Sequence, residues 1–235
     1  PLAHAAAPVP ASAVLSGAVV KVGIIGLIRF LPLSEAVPDW GFVLTAAGFA
    51  TAFYAVVIGL TQRHPKAVLA YSSVSQMGVV AAVLGMGLAA GDATAGMAAA
   101  FYASHHVLVK GALFLSVGVI AACGPGRRAV VLVPALLLCL GLGGLPFTGG
   151  AIAKYAVKDQ LDVGVVGWLA AASAVGTTLL MLHFFRRLAA FCSGVVLASP
   201  LVAAVPADEL PQGSEVFGVA PRAMAGIASG VAATF

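Results

Sequence analysis

Charge is scarce in this chain. Asp, Glu, Lys and Arg make up 9% of its 235 residues, against about 25% in an ordinary soluble domain. With 61% hydrophobic residues and a mean hydropathy of +1.09, that shortage excludes a water-soluble globule, because no soluble core of this size needs so much apolar surface. Carboxylates number only eight, and none falls in the middle of an apolar run. Cysteine is equally sparse. Cys123, Cys139 and Cys192 lie far apart in apolar stretches, which excludes a disulfide framework and metal-ligand spacing and leaves buried, inert thiols. The chain has no phosphate loop, no G-x-G-x-x-G opening a helix after a strand, no CxxC, and no cluster of His, Cys and carboxylates for a redox metal. It therefore calls for no cofactor and no metal, and carries no catalytic redox site of its own. The net charge of +4 is too small to point to nucleic acid, and its uneven spread follows membrane topology.

What is present is apolar length. A bilayer crossing needs about 20 residues, and suitable runs lie at 11–31, 42–62, 67–90, 95–123 and 163–185. Another run, 129–160, is interrupted over 141–150, where Gly143, Gly144, Pro146, Gly149 and Gly150 crowd together. Such a density of glycine and proline breaks a helix into halves. In a bilayer a break survives only where protein or a wet cavity covers it. The fold class expected is therefore all-α, a polytopic transmembrane helix bundle with at least one discontinuous helix. Basic connections at Arg63-His64-Pro65-Lys66, Arg127-Arg128 and Arg186-Arg187 alternate with acidic ones at 32–41, holding Glu35 and Asp39, and at 90–94, holding Asp92. The positive-inside rule puts the basic clusters in the cytoplasm if 129–160 crosses once. Residues 188–235 form a poorly defined apolar tail with a loop at 206–218 and an incomplete final helix, and the chain reads as a fragment. The stretches Pro10 to Phe30 and Pro146 to Gln160 share a loose plan of proline, small residues and one lysine, a hint of an internal repeat.

Ionisable side chains inside these runs are the candidates for function. A lysine at a helix centre costs roughly 2.5–3.5 kcal/mol on insertion scales and persists mainly where it faces a wet or protein-lined interior. Tyr102, His106 and Lys110 fall four residues apart and stack on one helix face, with His105 turned about 100° away. Lys21 sits mid-run, about 15 Å from either end at 1.5 Å per residue, beyond the reach of a snorkelling side chain. Lys154 follows the glycine-rich break, where unpaired backbone groups attract water. Histidine titrates near neutral pH, and burial lets a lysine release its proton there, so the set suits proton transfer. Lys158 and Asp162, four apart, read as an interfacial ion pair, and Lys66 first of all as a topology determinant.

These residues sit in recognisable strings. Pro1 to Ala13 resembles the loop before the lysine-bearing helix of antiporter-like subunits, found in respiratory complex I, Mrp-type sodium/proton antiporters and membrane-bound hydrogenases of the formate hydrogenlyase type. Lys21-Val22-Gly23-Ile24-Ile25-Gly26-Leu27-Ile28-Arg29 is similar to the family's K-x-G-x-Y-G-L-x-R. Ala70-Tyr71-Ser72-Ser73-Val74-Ser75-Gln76-Met77-Gly78 is similar to A-Y-S-S-I/V-S-Q-x-G. His106 to Leu115 follows H-x-x-x-K-x-x-L-F-L, and Gly144-Leu145-Pro146 to Lys154 resembles the second broken helix. The motifs cover about residues 1–160 in order.

The resemblance implies that Lys21, His106, Lys110 and Lys154 form a proton relay along the membrane plane, with His105, Tyr102 and Lys66 as further candidates. It implies a translocating subunit of a redox-driven complex in the bacterial cytoplasmic (inner) membrane. Its partners would be other membrane subunits, the lipid bilayer and protons, with sodium as a second ion and no nucleic acid. Any redox catalysis, of the NADH:quinone oxidoreductase or hydrogenase kind, would lie in other subunits. The chain departs from the family at Ile25, which replaces a tyrosine, and at His64-Pro65-Lys66-Ala67, which replaces Asp-Ile/Leu-Lys-Arg. Tyr102 stands where some relatives carry histidine. No buried acid partners these lysines, so one is expected from outside this stretch. The alternatives are a secondary sodium/proton antiporter subunit of Mrp type and a non-conducting membrane subunit of a coupled ion or inorganic-carbon uptake complex.

Overall fold

Prolines mark where the helices begin. Pro38 opens the helix Pro38–Thr61 and Pro65 opens Pro65–Ala90, each at the first helical position, where a missing N–H costs nothing. Pro10 lies likewise in the first turn of Val9–Val14. The computed structural model describes residues 3–123 and 125–192, and no strand occurs among them. The order is α1 (Ala3–Ala6), α2 (Val9–Val14), a π-helical turn (Leu15–Val19), α3 (Val20–Phe30), α4 (Pro38–Thr61), α5 (Pro65–Ala90), α6 (Thr94–Ala122), a short 3-10 turn (Pro125–Arg127), α7 (Arg128–Gly143), α8 (Gly149–Ala156), α9 (Lys158–Leu161) and α10 (Gly164–Cys192). Among the described residues, five helices are long and apolar enough to cross a bilayer: Val9–Phe30, Pro38–Thr61, Pro65–Ala90, Thr94–Ala122 and Gly164–Phe191.

Several bounds differ from the sequence reading. The connection at 32–41 is shorter than expected, because Pro38 starts α4 and draws Asp39 into its first turn, at the favourable end of the helix dipole. The last helix runs past Arg186 and Arg187 to Cys192. The expected loop at 206–218 and incomplete final helix lie outside the described residues.

The centre of the bundle is α5, buried along nearly its whole length and packed against α3, α4, α6 and α10. A helix apolar all round has to be enclosed in this way. Its contact with α4 is closest. A Cβ on Gly48 would lie 2.6 Å from the Gly78 carbonyl oxygen, and one on Gly85 would lie 2.5 Å from Thr45 Oγ1. Small residues let two helix backbones approach, which is how helices associate when lipid supplies no hydrophobic drive.

α7 ends at Gly143 and α8 begins at Gly149, with residues 144–148 between them outside any helix. Gly144 takes φ +99°, a left-handed conformation that a side chain disfavours, and ends α7. The N–H of Leu145 returns to the Leu140 carbonyl at 3.0 Å. Thr148 then caps α8 by accepting from the N–H of Ala151 at 3.4 Å. The two halves stack so tightly that a Cβ on Gly150 would collide with the Gly141 carbonyl. Farther along, Gln160 donates to Asp92 Oδ2 at 3.0 Å, tying α9 to the loop before α6. Hydrogen bonds from Thr94 and Gln160 hold the Asp92 carboxyl below the usual carboxylate range.

Candidate functional site

The candidate relay residues lie on four elements: Lys21 on α3, Lys66 on α5, Tyr102, His105, His106 and Lys110 on α6, and Lys154 on α8. Lys21 is 5% exposed and follows the π turn, and its Nζ donates to the Ser16 carbonyl at 2.6 Å. A π turn shifts the backbone ladder by one residue, and such turns recur at functional sites. The same Ser16 shares a hydrogen bond through Oγ with Ser73 Oγ of α5 at 2.6 Å. Ser73 in turn donates to the Leu69 carbonyl at 3.2 Å. Lys110 of α6, fully buried, donates to that same Leu69 carbonyl at 3.0 Å. Lys21 and Lys110 are thus anchored at two ends of one polar cluster, Lys21 on the Ser16 carbonyl and Lys110 on the Leu69 carbonyl that Ser73 shares, with the Ser16–Ser73 hydroxyl pair between them.

His106 lies one turn from Lys110, fully buried, and neither ring nitrogen has a hydrogen-bond partner among the described residues. The buried hydroxyls of Ser72 and Ser75 likewise have no partner among the described residues. Buried polar groups are rarely left so unless ordered water serves them. One turn further, Tyr102 donates its hydroxyl proton to Gln76 Oε1. The Lys110–Leu69 and Tyr102–Gln76 bonds set an antiparallel register for α5 and α6 that brings His106 level with Ser72 and Ser73.

Beyond Tyr102 lies a cavity of ≈ 210 Å³ lined by Gln76, Tyr102, Lys154, Ser173 and Thr177, with Lys158 and Asp162 at its rim. Gln76 Nε2 donates to Thr177 Oγ1 at 2.7 Å, and Thr177 donates to the Ser173 carbonyl at 2.9 Å. Lys154 is half-buried on α8 and reaches back to the Gly143 carbonyl at the end of α7. Helix C-termini leave carbonyls without intrahelical partners, and Lys154 takes one of them. Lys158 and Asp162 pair at 3.6 Å with both side chains more than half exposed.

The remaining candidates sit apart from these groups. Lys66 Nζ donates to the Ala7 carbonyl at 2.7 Å, holding the loop before α2 against α5. His105 faces the other way, and a Cβ on Gly149 would meet its ring at 3.0 Å, so it packs over the break.

Reading the sequence for charged groups passed over Ser16, Ser73, Gln76, Ser173 and Thr177. The one signal available was the density of hydroxyl and amide groups in Ser72-Ser73-Val74-Ser75-Gln76, which is unusual at membrane depth. His4 was passed over too. Its ring lies 5.4 Å from that of Phe114, one turn past Lys110. Burial lowers its pKa, and the charges of Lys66 and Lys110 add to the effect.

Comparison with known proteins agrees with these motifs. Residues 1–181 match the family described as NADH:quinone oxidoreductase/Mrp antiporter, TM. A Staphylococcus aureus (strain MRSA252) protein, named as an antiporter subunit mnhA2, is 32% identical over 178 residues, covering 66% of this chain and 22% of its own length. Its counterpart in Staphylococcus saprophyticus gives the same figures, 32% over 178 residues, 66% and 22%. The hydrogenase-4 component F homolog of Methylacidiphilum infernorum (isolate V4) is 37% identical over 124 residues, 52% of this chain and 25% of that protein. The chain thus spans between a fifth and a quarter of the length of these curated relatives. Bacterial relatives and five long apolar helices fit an integral protein of the inner membrane. The chain belongs to the NADH:quinone oxidoreductase/Mrp antiporter transmembrane family, as an antiporter-like membrane segment of Mrp, complex I and hydrogenase type.

Proposed function

We propose that this chain carries the conducting half of a proton-translocating subunit, with Lys21, His106, Lys110 and Lys154 as its protonation sites. The observation that supports this reading best is the buried polar cluster that gathers Lys21, the Ser16 and Ser73 hydroxyls and Lys110 around the Leu69 carbonyl. The two carbonyls anchor the ammonium groups without passing a proton, so a hop between Lys21 and Lys110 would run through the Ser16 and Ser73 hydroxyls with water completing each end. The unpartnered nitrogens of His106 and the cavity beside Lys154 supply sites for water between the charged groups. The segment 129–160 crosses the bilayer once in this reading, leaving the three basic clusters on the cytoplasmic side. Tyr102 belongs beside the relay, Lys66 anchors the loop before α2, and His105 supports the break.

In this reading the subunit works within a multisubunit membrane complex driven by redox chemistry elsewhere, as the likeness to a hydrogenase-4 component supports. The likeness to mnhA2 favours a second reading, sodium/proton exchange of Mrp type. Flux in liposomes holding the full-length subunit with its complex separates them. Lys21→Ala and Lys154→Ala are each expected to lower proton flux about 100-fold, the usual cost of deleting a positioned proton-transfer group. Unchanged flux in both removes the relay and leaves a non-conducting membrane subunit. Sodium uptake strictly coupled to proton release selects the exchange reading.

A further inference from the structure

One helical turn from the fully buried His106, Tyr102 reaches the cavity at Lys154, where it pairs with Gln76; the two side chains are 5% and 1% exposed. Their hydrogen bonds run in one direction only. The Thr177 hydroxyl has one proton, and it goes to the Ser173 carbonyl. Gln76 must therefore present its NH₂ to Thr177 and its oxygen to Tyr102, and Tyr102 must be the donor. That commits the tyrosine proton away from His106, one helical turn off. It also ends the line at a carboxamide. An amide passes a proton on only by rearranging to its imidic acid, unlike the hydroxyls on the Lys21 side, so no hop runs from Tyr102 through Gln76 to the cavity.

Resting on the relay reading above, we propose that Tyr102 and Gln76 form a proton-tight gate between the buried His106–Lys110 compartment and the cavity that opens past Lys154. With the bond made, the two compartments are insulated. When the Tyr102 hydroxyl turns from Gln76, it takes a proton from protonated His106 while giving its own to cavity water. The tyrosine ends neutral, His106 ends neutral, and one proton has moved. Tyr102 thus acts as a switch on the path where a third titrating base would leave the path permanently open. Gln76 is a positioning residue, acting through Tyr102. The exposed Lys158–Asp162 pair at the rim gives the cavity its aqueous mouth.

The test uses the full-length subunit in its complex, reconstituted in liposomes, with passive proton conductance measured under an imposed pH gradient and no driving reaction. Gln76→Glu keeps the shape and replaces the amide by a carboxyl that can relay. It is expected to raise passive conductance about tenfold, while Thr177→Val, which only unpins the amide, raises it about fivefold, the population change for losing one neutral hydrogen bond. Wild-type conductance in both assembled variants overturns the gate. If Gln76→Glu fails to assemble, Tyr102→Phe decides the matter. It keeps the ring, leaves passive conductance at the wild-type level and lowers driven flux at least tenfold, and unchanged driven flux overturns the proposal. Lys154→Ala in parallel keeps the two readings apart. Lost driven flux in Lys154→Ala beside wild-type conductance in Gln76→Glu and Thr177→Val condemns the gate alone, and unchanged driven flux in Lys154→Ala condemns the relay itself.

Discussion

Lysines beside an interrupted helix are held differently from the lysine on an intact one. Lys110 projects from the unbroken α6 and bonds a carbonyl in the unbroken α5, an oxygen that Ser73 Oγ also uses and the helix ladder claims as well. It is fully enclosed. Lys154 instead follows the break, takes a helix-end carbonyl outside any ladder, and borders open space. Lys21 resembles Lys154, since its acceptor Ser16 lies within a π turn. The lesson is that the end of α7 gives Lys154 both an acceptor and adjoining space, whereas intact α5 gives Lys110 an acceptor only by sharing it. Lys21 and Lys110 are both buried, and Lys154 alone of the three lines the cavity of ≈ 210 Å³.

Enlarging the side chain breaks the comparison most sharply. Lys110→Arg overfills a closed site and is expected to cost about 1–3 kcal/mol of stability. Lys154→Arg, beside a cavity of ≈ 210 Å³, is expected to stay near wild type. Thermal unfolding of both in detergent checks this, and equal losses would mean that the two sites are equally tight.

Glycines give the next contrast. Gly144→Ala forces a left-handed conformation worth about 1–2 kcal/mol against a side chain, and its Cβ would lie 3.0 Å from Lys154 Cδ. Gly111→Ala, beside Lys110 on intact α6 with nothing within 4 Å of its Cβ, is expected to gain roughly 0.5–1 kcal/mol. The same unfolding assay reads both, and a loss at Gly111 would show strain where the helix looks regular.

A smaller effect sharpens the comparison on the Lys21 side. Ser16→Ala removes the bridge to Ser73 and leaves the Lys21–Ser16 carbonyl bond intact, so about 1 kcal/mol of stability is expected to go. Proton flux should fall several-fold in the same variant, and undiminished flux would route the proton elsewhere.

The smallest effect lies at the membrane boundary. His64 caps α5 by accepting from the Lys66 N–H at 3.2 Å, which only the unprotonated nitrogen can do. Burial, then the charge of Lys66, holds its pKa below the ordinary 6.5. Protonation therefore favours the unfolded chain. Stability is full above about pH 6.5 and erodes as pH falls below it. His64→Asn keeps a capping acceptor and should flatten the melting temperature between pH 7 and pH 5, whereas an unchanged slope would place the titrating group elsewhere.

Much of this architecture was readable from the chain. The helices follow from apolar runs and their prolines, and the non-helical stretch between α7 and α8 falls where the glycines crowd. The single-face stacking of Tyr102, His106 and Lys110 follows from their spacing. Lys21 follows a π turn, and Lys154 follows the non-helical stretch between α7 and α8. The π turn itself was not legible, because nothing in Leu15-Ser16-Gly17-Ala18-Val19 marks a one-residue shift of the ladder. Gln76 was visible as a motif member only. Its meaning depends on Tyr102 of α6 and Thr177 of α10, and their distance along the chain hides the contact.

The division has a physical basis. Hydropathy, helix periodicity and the conformational limits of proline and glycine act over a turn or two. The amino-acid order therefore determined on its own that this chain lies in a membrane as helices, with basic groups at depth. Which oxygen each lysine meets was decided by the packed bundle. Ser16, Leu69 and Gly143 serve through backbone carbonyls, which every residue possesses, and only tertiary contact selects one from another.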